Sequence, residues 1–273
     1  MDLGPKPLTA EEQAVLHPVA DRLRHLIAIP TTNLVHDATF KPAPDSRIDK
    51  AQKADLSDAC DLAGHALAAA EDHLRTILSL LAPDIMLPSF SMFTLVRGAA
   101  MPTVHARHLL EPSITETTRL GRALSARLKN LEQQQKVNPE VQGPFFVDRV
   151  DHLTKRAEAN GITVLRNKKD AVIGFGEHWP TDADLFEKYI PEVGKTFWQF
   201  LSGHAHSMAW IQLPISRALP SDKPGIVMVP TAVDVPTLVG VLNRTLTLYD
   251  ETVGIYLEHA GFPPLVWAEA KKG

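Results

Sequence analysis

Apolar positions along this chain recur at spacings of three and four, the period of a helix rather than of a strand. The longest regular run is Leu56, Cys60, Ala63, Leu67, Ala70, Leu74, Ile77 and Leu81, whose steps alternate four and three. That heptad-like seam predicts one long helix over 49–81, packed along a partner within the chain or in a second copy. The stretch 89–111 follows after a short turn and is apolar on nearly every face, the mark of a central helix and the natural partner of the seam. Gly98, Ala99 and Ala100 are small enough to let neighbouring helices approach, and Pro102 predicts a kink. Phe93, Arg97, Met101, His105 and His108 share one stripe of it. An arginine there requires a carboxylate or carbonyl partner, because an unpaired buried charge is costly.

The remaining pattern is also mostly helical. Thr9 and Glu12 form a capping box that opens an amphipathic helix to about Ala28, interrupted at Pro18. Residues 30–48, with Pro30, Pro42 and Pro44, read as a long loop. Ser113 with Glu116 reads as a second capping box, for a helix from Ile114 to about Lys136. Its Leu120, Leu124, Leu128 and Leu131 line one side; Arg119, Arg122, Arg127 and Lys129 make it basic, which reads as a solvated face. A loop over 137–144 leads to a helix over 145–160 that stops at Gly161. Two β-type runs, 162–166 and 171–175, flank a polar turn and predict a hairpin with a basic tip.

Thr181 and Asp184 cap the next helix, which restarts after Pro191. There Val193, Phe197, Leu201, His204, Met208 and Ile211 share a stripe, turning His204 to the core and His206 elsewhere. Prolines exclude helix from most of 213–233, where 226–229 reads as a short strand that would extend the hairpin. Asp234 caps a last helix through Leu238, Leu242, Thr245, Tyr249, Val253 and Tyr256, stopped at Gly261. The expected fold is mainly α. It is a single domain over 1–273, a bundle of long antiparallel helices with a small β-hairpin inserted at about 161–176 and long loops at 30–48 and 213–233.

Composition narrows the function classes. An apolar content of 44% and a charged content of 22% support a sizeable core. A net charge of −4 gives no overall attraction to nucleic acid or anionic membrane. The lone Cys60 excludes an internal disulfide and suits a reducing compartment. The N-terminus lacks the apolar core of a signal peptide, and apolar windows are broken by Arg97 or by prolines, so a cytoplasmic protein with no membrane span is expected. Twelve histidines are present, without the cysteine partners of a structural zinc site.

The candidate chemistry lies in Arg97, His105, His108 and His204. Histidine transfers protons near neutral pH, and arginine stabilises negative charge. The competing reading is a structural network satisfied by carbonyls or by Glu111 or Asp72. His204 and His206 do not share a helix side, and no HxxxH or HExxH is present; a metal set from distant histidines such as His73, His105 and His204 stays open, and no cofactor is expected. Walker, Rossmann and G-x-S-x-G signatures are absent, and Cys60 on the seam reads as an inert buried thiol. Arg166, Lys168 and Lys169 at the hairpin tip, with the 119–129 face, form the candidate nucleic-acid surface.

The segments EDHLRTILSLL, LVRGAAMPTVHARHLLEP, TRLGRALSARLKNLEQQ, GITVLRNKKDAVIGFGEHWPT and FWQFLSGHAHSMAW, within about 60–211, resemble a group of actinobacterial helical proteins without assigned activity. The resemblance implies a helical fold and singles out Arg97, Glu111, Arg119, Arg122, Ser202 and His206; Glu111, Arg119, Arg122 and Ser202, with His73 and His108, are the candidate ligand-binding residues. The long paired helices also resemble, more distantly, HEPN domains, some of which are metal-independent ribonucleases. Those use an arginine with a histidine four to six residues further along, whereas seven residues separate Arg97 from His105. The leading expectation is a binding or interaction protein with a helical groove, its ligand unassigned. Alternatives are a hydrolase or ribonuclease-like enzyme using Arg97, His105, His204 and His206, and nucleic-acid binding at the hairpin tip. A homodimer through helix packing is compatible with either.

Overall fold

The computed structural model describes residues 8–28, 41–82, 87–88, 91–137, 139–206, 208, 219–220, 227–228 and 234–262. The described residues are mainly helical. Helix α1 (Ala10–Leu26) begins at the Thr9–Glu12 capping box and runs through Pro18 unbroken. Pro18 lies on an exposed face, where the carbonyl it frees meets water.

The helix expected over 49–81 is two helices, α2 (Arg47–Lys53) and α3 (Asp58–Leu80). Between them Asp55 adopts a φ of 56°. The Leu56 N–H bonds to the Ala51 carbonyl at 2.8 Å and the Asp55 N–H to the Gln52 carbonyl at 3.2 Å, a Schellman stop built on aspartate instead of glycine. The seam itself holds: Cys60, Ala63, Leu67, Ala70, Leu74 and Ile77 are all buried. It packs on α4 (Ser91–Leu109) within the same chain, so no second copy is needed to cover it. A Cβ on Gly98 would stand 2.7 Å from the His73 ring, which shows how closely α3 and α4 approach.

Helix α4 is the centre of the molecule, packing on α3 and on most of the helices that follow. Helix α5 (Glu116–Val137) starts from Thr115, not Ser113: the Thr115 hydroxyl accepts the Thr118 N–H at 3.1 Å. This frees Glu116 for arginines. Helix α6 (Pro139–Ala159) begins earlier than expected, because proline at a first helical position forfeits no hydrogen bond. It stops at Gly161, whose φ of +66° satisfies the αL requirement.

The hairpin of β1 (Val164–Arg166) and β2 (Val172–Phe175) lies on α5. Ser125 accepts the Phe175 N–H at 2.9 Å and donates to the Glu177 carbonyl at 2.9 Å. Leu120, Leu124, Leu128, Leu153, Ala157, Ile162 and Phe175 form a second, smaller core there. Helix α7 (Asp182–Tyr189) opens on the Thr181–Asp184 capping box, and α8 (Gly194–Ala205) follows after a tight turn. Helix α8 ends at Ala205, short of the expected Ile211, which lies outside the described residues; Met208 is exposed. Strand β4 (Val227–Met228) pairs with β3 (Leu219–Pro220) and does not extend the hairpin. Of the expected 30–48 loop, 41–46 is non-helical and Ala43 bonds to the Ala260 carbonyl at 2.8 Å; 29–40 lies outside the described residues. Helix α9 (Val235–His259) is capped by Asp234 and buries its whole expected stripe. No helix among the described residues is long and apolar enough to cross a membrane.

Candidate functional site

The end of α4 determines how the polar side chains are shared out. Its last carbonyls have no intrahelical donors, and they end in the interior. Arg119 and Arg122, one turn apart on α5, supply those donors. The Arg119 Nη1 donates to the Leu109 carbonyl at 2.6 Å, its Nη2 to the Glu111 carbonyl at 3.1 Å and its Nε to Glu116 at 3.3 Å. Its side chain is wholly buried. The Arg122 Nη1 donates to the His108 carbonyl at 2.7 Å and to the Glu111 carboxylate at 2.6 Å, while its Nε donates to Glu177. Lys188 reaches the same Glu111 oxygen at 2.8 Å. Burial disfavours the Glu111 carboxylate, but the Lys188 and Arg122 bonds outweigh it and hold its pKa at about 2. Glu116 also pairs with Arg47 at 3.0 Å, and Arg47 approaches the buried His259 at 3.0 Å.

These contacts correct the reading of α5 as a solvated basic face. Arg119 and Arg122 are interior, and Arg127 is paired with the buried Asp58 at 2.9 Å. Lys129 stands exposed beside Glu132. The hairpin tip keeps Lys168 and Lys169 exposed, while Arg166 donates to the Asp170 carbonyl at 2.9 Å.

His108 belongs to the sealed side. Its Nδ1 lies 3.2 Å from the Tyr189 hydroxyl. Desolvation, reinforced by the charges of Arg122 and Lys188, depresses its pKa to about 3. It is therefore neutral near pH 7, and its 3.9 Å approach to Glu177 is not an ion pair. His204 is also buried, stacked on Phe93 at 4.1 Å and edge-on to Phe200 at 4.6 Å, and desolvation lowers its pKa too. It fills an aromatic layer. Among the described residues Arg97 shows neither the carboxylate nor the carbonyl expected of it: its guanidinium lies over the Trp198 ring at 4.8 Å, and its Nε has no hydrogen-bond partner there. The π face replaces the counter-ion. Ser202 is half-buried on α8, His206 is exposed at its end, and His73 packs against Gly98. No group of three or more metal-ligating side chains occurs among the described residues, so His73, His105 and His204 do not assemble.

His105 differs from these. Its Nε2 lies 2.8 Å from Asp182 Oδ1, and each side chain is 29% exposed. Both line a cleft of about 430 Å³. Leu62 and Ala66 of α3, Met101 and Leu109 of α4 and Ala126 of α5 provide apolar lining; Lys129, Asn130 and Gln133 of α5 add polar groups. Trp179 and Pro180, ahead of α7, complete it. Asp182 is the first residue of α7, so the Thr181–Asp184 capping box fixes its backbone. Trp179 meets the His105 ring edge-on at 5.5 Å and the His108 ring at 5.2 Å. Sequence reasoning missed Asp182 and Trp179. The local signal was an acid at the start of a capped helix, but its partner lies 77 residues away.

A second depression, of about 510 Å³, lies by Tyr189, Asn243, Arg244 and Glu251; no ion pair among the described residues spans it. Cys60 is buried, and desolvation raises its pKa to about 12, so it is no nucleophile. The paired, solvent-reachable His105 and Asp182 are thus the group best suited to meet a ligand. Comparison with family models, curated proteins and solved structures finds no match to the chain.

Proposed function

We propose that this protein binds a small molecule with an apolar body and a hydrogen-bonding head in the cleft between α3, α4 and α5, where His105 and Asp182 anchor the head. The observation that carries this is a partly exposed acid–histidine pair in a largely apolar cleft of about 430 Å³, within the size range of small-ligand sites. Lys129, Asn130 and Gln133 offer further donors and acceptors. Among the described residues the lining carries one lysine and one aspartate, which favours a ligand without net charge. As a relative of HEPN domains it would be a non-nucleolytic one, since Arg97 turns to Trp198 and His105 to Asp182. A buried free thiol at Cys60 fits a reducing cytoplasm.

Native mass spectrometry of freshly purified protein tests the reading. A bound small molecule is expected on the wild type and absent from Ala66→Trp, which fills the cleft from α3. A ligand that stays bound to a folded Ala66→Trp variant places the site elsewhere and contradicts the proposal.

A further inference from the structure

We propose that His105, oriented by Asp182, is the general base that hydrolyses an uncharged acyl ester held in the cleft. The inference rests on the cleft being the ligand site and adds a reaction to it. With Nε2–H donated to Asp182, Nδ1 becomes the acceptor of the neutral ring. An acid that fixes the tautomer and orientation of a histidine is the arrangement by which hydrolases prepare a base. Both partners are braced: Asp182 by the capped start of α7, the His105 ring by the Trp179 edge. At 29% exposure the pair is shielded yet reachable by water.

The lining defines the nucleophile and the substrate class. Among the described residues no serine, threonine or cysteine lines the cleft, and the attacking oxygen is assigned to water. Lys129, Asn130 and Gln133 are the donors on α5 for a developing oxyanion. Leu62, Met101 and Ala126 suit an apolar acyl chain. A phosphate ester would bring one or two negative charges to a lining that holds, among the described residues, a single lysine and an aspartate. In the reaction, His105 Nδ1 takes a proton from water as the water oxygen bonds to the acyl carbon. The tetrahedral intermediate then collapses. The carbon–oxygen bond to the leaving alcohol breaks, and the proton on Nδ1 passes to that alcohol. The products are a carboxylic acid and an alcohol, and no electrons are exchanged with any further reactant. Asp182 is a positioning residue throughout.

The full chain is assayed with p-nitrophenyl butyrate, following p-nitrophenolate release. Hydrolysis is expected in the wild type, slower in deuterium oxide and without a burst. For His105→Gln and Asp182→Asn, kcat is expected to fall by roughly 100-fold or more, with a smaller rise in KM from the lost anchor; Asp182→Glu should recover part of the kcat. His17→Gln, on the exposed face of α1, should match the wild type and controls for surface imidazole. A wild-type rate no greater than that of His105→Gln overturns the inference, as does a burst, which would make the imidazole a nucleophile. N-butylbutyramide, titrated by NMR into wild type and Ala66→Trp, separates the two readings. Cleft binding of the amide without ester turnover removes hydrolysis and leaves binding; failure of both probes removes both.

Discussion

His105 and His108 sit one helical turn apart on α4, and the structure treats them oppositely. His108 is closed in beneath Arg122, Tyr189 and Trp179, is neutral near pH 7, and lies where two arginines finish the end of its helix. His105 meets Asp182 at the edge of a cleft and stays in reach of solvent. The difference does not come from α4, since both residues lie on one stripe. It comes from what later segments bring: α5 delivers guanidinium groups to one, and the start of α7 delivers a carboxylate to the other. A polar residue in a central helix is structural where its neighbours close it off from solvent, and available for function where one side remains open.

The comparison is broken most forcefully at Arg119. Arg119→Ala removes the donors to the Leu109 and Glu111 carbonyls and should cost about 3–5 kcal/mol in chemical denaturation. A loss below about 1 kcal/mol would mean that the sealed half does not hold the end of α4. Acid acts on the same half. His108 and His259 have folded pKa values of about 3 against an ordinary 6.5, both through desolvation first. Unfolded, they bind protons that the folded state refuses. Their contribution is therefore fully present above about pH 6.5 and is lost as pH falls toward 3, with a slope of about 1.4 kcal/mol per pH unit for each group. Glu111 adds to the loss below about pH 4.5. Urea unfolding at pH 7 and pH 5 should show this decline, and His108→Gln should flatten it.

Gly121→Ala couples the two halves. Its Cβ would lie 2.9 Å from the Phe175 carbonyl oxygen, pushing the hairpin from α5, with Glu177 and Trp179 following in the chain. A destabilisation of about 1–3 kcal/mol is expected, with weakened ligand binding. The smallest stability effect belongs to the open half. His105→Gln and Asp182→Asn should each move stability by no more than about 1 kcal/mol, as for partly exposed pairs, while abolishing what the cleft does. Equal stability losses at Arg119 and His105 would erase the distinction.

Much of the scaffold was legible in the sequence. Alternating steps of four and three identified the seam and its partner, and Thr9, Thr181 and Asp234 marked helix starts through their own side chains. The break at Asp55 was hidden because aspartate occupies a left-handed position usually signalled by glycine. Arg119 and Arg122 looked like a solvated run because a periodicity reading cannot see carbonyls left over at the end of another helix. Ser113 competed with Thr115 for one cap, and three-residue spacing to Glu116 could not separate a cap from an arginine partner. The candidate site was legible only as His105. Asp182 and Trp179 join it through tertiary packing, and no local spacing encodes that meeting.

Methionine methyl groups give the most direct test that the open half is the working half. Met101 lines the cleft, and Met92 is buried on the same helix away from it. With carbon-13 methyl labels, titration of a short-chain ester or amide should shift Met101, leave Met92 in place, and lose its effect in Ala66→Trp. Shifts at Met92 with Met101 unmoved, or no shift at Met101 from any such compound, would contradict the account.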